Sequence, residues 1–127
     1  HALTDVTGFG LLGHAREMAR GANVQVNIQL SSVPFLSQVL ALAEQGFITG
    51  ASARNWNGYH QDITLDSSIS DVQKALLCDP QTSGGLLVAC ASDEVDAVMA
   101  YFDAHGFAEA TVIGNIQDGT TGVQVNK

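Results

Sequence analysis

The chain alternates between two hydrophobic periods. Leu11, Leu12, Ala15, Met18 and Ala19 recur at helical spacing, with Arg16, Glu17 and Arg20 on the other side. This predicts a helix from about Phe9 to Arg20, stopped by Gly21. Val24 to Leu30 then alternates apolar and polar residues without a fault, the mark of a strand with one buried face. Ser31-Ser32-Val33-Pro34 opens a second helix, because proline suits the first helical position. Phe35, Leu36, Val39, Leu40 and Ala43 form its apolar stripe, and Gly46 ends it. Both periods fade between Phe47 and Gln61, where Gly50, Asn55, Asn57 and Gly58 mark a long loop carrying Arg54, Trp56, Tyr59 and His60. Loops of this length are functional or tied down. Trp56 and Tyr59 therefore serve either as pins into the core or as ligand contacts.

Periodicity returns with a short strand at Ile63 to Leu65. Ser70 and Gln73 make a capping box for a helix through Leu77, which Asp79-Pro80 stops. Gly85 to Ala91 is continuously apolar, as in a central strand covered on both faces. Ser92 caps another helix, with Asp93 and Glu94 at its positive end and Val95, Val98, Met99 and Phe102 on one face. His105-Gly106 closes it. Thr111 to Gln117 and Gly122 to Val125 read as a terminal hairpin joined through Asp118-Gly119. The predicted class is α+β, with four or five strands and helices packed on the sheet.

At 127 residues and 46% hydrophobic content, the chain makes one globular domain. Five Lys plus Arg against thirteen Asp plus Glu give a net charge of -8, which disfavours nucleic acid and anionic membrane as partners. No apolar run has the length of a membrane span and no basic-then-apolar leader is present. Cys78 and Cys90 match neither a disulfide framework nor a metal motif, so the expected location is the reducing cytoplasm. Cys90 sits in an apolar run, and Asp79 beside Cys78 disfavours a thiolate there. The chain starts without Met and directly at a motif, which reads as a piece of a longer protein.

The chemistry concentrates in two segments. In Thr4-Asp5-Val6-Thr7-Gly8-Phe9-Gly10-Leu11-Leu12-Gly13-His14, an acid and two hydroxyls precede three glycines at a helix start. Such glycines allow close backbone approach, and free N–H groups at a helix start attract anions. Asp5 is either a ligand for a hard cation such as Mg²⁺ or the acceptor of a turn. The spacing is neither that of a P-loop nor that of a dinucleotide fold. In the second segment, Leu77 to Leu87, the groups of Asp79, Gln81, Thr82, Ser83, Gly84 and Gly85 lead straight into an apolar strand. Loops at strand ends commonly hold ligands.

Both segments, in this order, resemble the two signatures of the C-terminal domain of the selenophosphate synthetases (selenide, water dikinases), and the resemblance runs from His1 to near Lys127. Several expectations follow from it. The fold is that of the C-terminal domain shared with aminoimidazole ribotide synthetase, a mixed sheet partly like a ferredoxin-type sandwich. Asp5 matches a Mg²⁺ ligand facing the phosphates of ATP. Thr4, Gly8, Gly10, Gln81, Thr82, Ser83 and Gly84, chosen for their hydrogen-bonding groups and backbone access, are the candidate nucleotide contacts beside it. Arg54-Asn55 matches an Arg-Asn pair, although Thr49-Gly50 departs from the glycine pair that precedes it in the family. The family's catalytic Cys or selenocysteine, its nearby Lys, further Asp ligands and a flexible glycine-rich segment belong to an N-terminal domain, and no catalytic residue is found in these 127 residues. The implied partners are that N-terminal domain, ATP and selenide, with a homodimer at full length; the piece alone is expected to be folded but inactive. The alternatives are a related ATP-using enzyme of the aminoimidazole ribotide synthetase or thiamine monophosphate kinase type, or a non-catalytic selenium-handling module. DPQTSGGLL argues against the former, and the latter requires a usable thiol.

Overall fold

A computed structural model of the chain describes residues 2–127. In chain order the elements are β1 (Ala2–Asp5), α1 (Gly10–Ala22), β2 (Gln25–Gln29), α2 (Val39–Glu44), α3 (Gly50–Tyr59), β3 (Ile63–Leu65), α4 (Asp71–Leu77), β4 (Leu86–Ala89), α5 (Val95–Ala104), β5 (Gly114–Gln117) and β6 (Gly122–Asn126). The class is α+β, as expected. The strands form two sheets. One is four-stranded and mixed, in the order β3-β6-β2-β5; the other is an antiparallel ribbon of β1 and β4.

The alternation of β2 does what its pattern predicts. Ile28 is buried and Val26 packs against the core, while β6 contributes Val123 and Val125 and β3 contributes Ile63. Leu12 and Ala15 of α1, Tyr59 of α3, and Leu77 and Cys78 at the end of α4 complete one continuous core. The opposite strand positions, including Gln25, Asn27, Thr64 and Gln124, are polar and half-buried or exposed, so the apolar core lies on one face of this sheet.

Several boundaries differ from expectation, each for a physical reason. Helix α1 runs past Gly21 and ends at Asn23, which takes the left-handed conformation at φ 55°. The second helix starts at Val39 rather than at Pro34, because Gln38 is left-handed (φ 69°) and interrupts the path; Leu36, placed in its apolar stripe, is 82% exposed. Ser92 caps nothing: a short 3₁₀ turn at Ser92–Glu94 leads into α5 without a side-chain cap. The box of Ser70 and Gln73 is present in full.

The expected hairpin is split. β5 and β6 are antiparallel, but β2 lies between them, pairing antiparallel with β5 (Val26 opposite Ile116) and parallel with β6 (Val26 opposite Val123). The link through Asp118-Gly119 crosses the start of β2. A Cβ at Gly119 would come within 2.8 Å of Gln25 Oε1, so the link passes close over the Gln25 side chain. Leu86–Ala89 is not a central strand either. It pairs only with β1, and Leu86 is exposed.

The largest departure lies between residues 47 and 61. The expected loop is a helix, α3, whose N-cap Thr49 accepts a hydrogen bond from the Ser52 N–H. It escapes a search for apolar periodicity because much of its inward stripe is polar: Ser52, Asn55 and Tyr59 follow helical spacing. Tyr59 is part of the core and Trp56 packs against it, so both are pins.

Candidate functional site

The two glycine-bearing segments, far apart in sequence, interlock. β1 and β4 pair from Ala2 opposite Ala89 to Asp5 opposite Leu86, and the Val6 N–H then donates to Gly85 O at 2.9 Å. Thr7 O accepts from two amides, Gly10 within its own turn (3.1 Å) and Gln81 across the seam (3.0 Å). Glycine is required at two points of closest approach. Gly10, with φ +68°, faces the main chain of Cys78 and Asp79, where a Cβ would come within 2.6 Å of the Cys78 carbonyl carbon. At Gly84 a Cβ would overlap the carbonyl of Val6. Both glycines thus serve the approach of the chain to itself.

Helix α3 fastens this seam. The Asn55 amide donates to Gly8 O and to Cys78 O, each at 2.9 Å, and so joins the two segments. Tyr59 donates its hydroxyl proton to Phe9 O at 2.8 Å. The Asp79 carboxylate accepts from Thr49 (2.9 Å) and Ser52 (3.0 Å) at the start of α3. That placement suits a negative charge at a helix N-terminus. Burial pushes the Cys78 thiol up and holds the Tyr59 phenol well above its ordinary range, so both stay neutral. The inert, buried Cys78 removes one thiol that a selenium-handling module would need.

His14 is a buried structural histidine. Its Nε2 lies 3.1 Å from the Thr7 hydroxyl, whereas Nδ1 is close to a Glu17 oxygen (3.1 Å) without the alignment of a hydrogen bond. Arg54 is exposed beside a shallow groove of about 200 Å³ that Phe9, Arg16 and Glu17 also line.

What remains on the outside of the seam is the exposed set Asp5, Gly8, Gln81, Thr82 and Ser83, with half-exposed Thr4 and Gly84 at its edges. Thr4 spends its hydroxyl proton on Asp5 O at 3.1 Å. Asp5 shares the outer face of the ribbon with Leu3 and Leu86, both exposed. Among the described residues no cluster of three His, Cys, Asp or Glu side chains is arranged to hold a metal. Mg²⁺ commonly takes only one or two protein carboxylates and completes its shell with phosphate and water, so an exposed single carboxylate fits as one donor. The sequence reading assigns Thr49 and Ser52 no part in the site; the helical spacing of Ser52, Asn55 and Tyr59 is the signal that carries it.

The fold and these paired segments define a class. The chain belongs to the family described as AIR synthase related protein, C-terminal domain, whose model matches residues 1–126. More particularly, it is 58% identical to a selenide, water dikinase of Pseudomonas straminea over 125 residues, which is 98% of this chain and 35% of that protein. Over the same length it is 55% identical to the selenide, water dikinase of Burkholderia ambifaria (strain MC40-6), with 98% and 35% covered. For that of Rhizobium meliloti (strain 1021) the identity is 51%, with 98% and 36% covered. The chain thus spans about a third of the curated relatives it matches. A solved thiamine-monophosphate kinase from Stenotrophomonas maltophilia K279a shares the fold, with a TM-score of 0.60 and 23% identity over 99% of this chain and 31% of that one. No helix among the described residues is long and apolar enough to cross a membrane.

Proposed function

We propose that this chain is the C-terminal part of an enzyme that makes selenophosphate from selenide, ATP and water, releasing AMP and phosphate. The identity of more than half the residues to proteins named selenide, water dikinase supports this reading. The observation that carries it is the seam, where two distant segments interlock and leave Asp5, Gly8, Thr82 and Ser83 exposed on its outside. Asp5 is the residue of this chain that would hold Mg²⁺, and Thr82 and Ser83 would offer hydroxyl donors to phosphate oxygens. Bound there, Mg²⁺ would offset the charge of the polyphosphate, the main electrostatic demand of phosphoryl transfer. Gly10 and Gly84 act at one remove by letting the segments close on each other. Residues that attack or protonate belong to the N-terminal domain of the longer enzyme, which assembles in the cytoplasm as a homodimer.

The test is Asp5→Asn in the full-length enzyme. Selenide-dependent ATP consumption should fall by roughly a hundredfold or more, the scale on which one preorganised electrostatic group acts. The exposed side chain of Asp5 makes the fold indifferent to this change, so circular dichroism should be unaltered. Full turnover by the Asn variant would remove Asp5 from the site.

A further inference from the structure

Asn55 stands where two carbonyl oxygens converge. Gly8 O belongs to the exposed turn ahead of α1, and Cys78 O lies at the end of α4. Both accept from the same Asn55 amide nitrogen, each at 2.9 Å. A side-chain NH₂ has two protons, so this one group serves one oxygen on each segment and has none left for solvent or ligand. Gly10 brings the Cys78 and Asp79 carbonyls against the start of α1, which crowds acceptors together. Without a shared donor, these like dipoles repel and the buried Cys78 oxygen goes unpartnered. The ends of α3 leave Asn55 little freedom: Asp79 holds Thr49 and Ser52, and Tyr59 holds Phe9.

We infer that Asn55 is a positioning residue. Through two main-chain carbonyls it sets the spacing between the Thr4–Gly10 segment and the Asp79–Gly84 segment, and with it the spacing of Asp5 from Thr82 and Ser83. It touches no ligand itself. The inference rests on the reading that both segments face one phosphate-bearing nucleotide, but its structural content is tested without that reading.

The experiment is amide hydrogen exchange by NMR on this chain and its Asn55→Ala variant. The Gln81 amide reports on the seam, since it donates across it to Thr7 O, and the Gly10 amide reports on the turn whose Gly8 O Asn55 holds. Their exchange should accelerate about tenfold, while the β6 amides of Val123 and Val125 stay within about twofold. Equal acceleration everywhere would make Asn55 a general stabiliser, and unchanged exchange at Gly10 and Gln81 would leave it no role in the seam; either result overturns the inference. If the alanine variant does not fold, Asn55→Gln, which keeps both donors on an arm one methylene longer, should accelerate the same two amides alone. In the full-length enzyme, Asn55→Ala should raise the KM for ATP severalfold, which a mere loss of folded protein does not do. An unaltered enzyme without selenide-dependent turnover would overturn the functional reading and leave the exchange result to decide the role of Asn55.

Discussion

The four-stranded sheet and the glycine seam are held by different forces. Behind the sheet, Leu12, Ile28, Val123 and Val125 exclude water by apolar contact, and their strands and helix show the regular periods expected of it. The seam depends on glycines at Gly10 and Gly84, on cross-segment amides and on the polar stripe of α3. Apolar packing is non-directional and tolerates repacking, whereas a seam of carbonyls and glycines has one workable spacing. The proposed role of Asp5, Thr82 and Ser83, which needs a carboxylate and hydroxyls at set positions, would gain from the second kind of joint.

The comparison is broken most severely from the sheet side. Leu12→Ala leaves a hole in a fully buried position and should cost about 3 kcal/mol or more in denaturant unfolding, with protection lost in every element. Next comes Gly84→Ala, whose methyl group would overlap the Val6 carbonyl. It should cost about 1–3 kcal/mol, and its effect on exchange should centre on β1 and β4. A Gly84→Ala variant as stable as the parent would mean that the ribbon is free to open.

A third prediction concerns pH and is the smallest. Cys78 and Tyr59 are kept neutral by burial, so the folded state holds protons that the unfolded state releases above about pH 8.5 for a thiol and about 10 for a phenol. Their contribution is therefore fully present below pH 8.5 and is lost as pH rises. Urea unfolding from pH 7 to 10.5 should show falling stability, with the onset moved toward pH 10 in Cys78→Ala. An onset unmoved by that change would assign the decline to Tyr59 or to other groups.

How far the sequence could be read follows the same division. Val24 to Leu30 announced β2 because each apolar residue lands on one covered face, and Ser70 with Gln73 announced α4 because a capping box is local. Helix α3 stayed hidden because Ser52 points inward to serve the Asp79 carboxylate and Asn55 to serve two carbonyls, rather than to exclude water. β1 was missed because Ala2–Asp5 is short and exposed at three of its four positions. Asp5 and the Thr82-Ser83 pair stand out in the sequence as candidates from their company of glycines, and all three are exposed. The anchoring of Asp79 at α3 was not, since Thr49 lies thirty residues away.

The sequence by itself determined the α+β class, the face of β2 and the two chemical segments, because periodicity, capping and glycine placement act over a few neighbouring residues. Only the tertiary structure decided that β2 parts β5 from β6, that the two segments share one seam, and that Asn55 joins them. Those outcomes depend on pairing over long separations, where many partners satisfy the same local pattern and packing of the whole chain selects one.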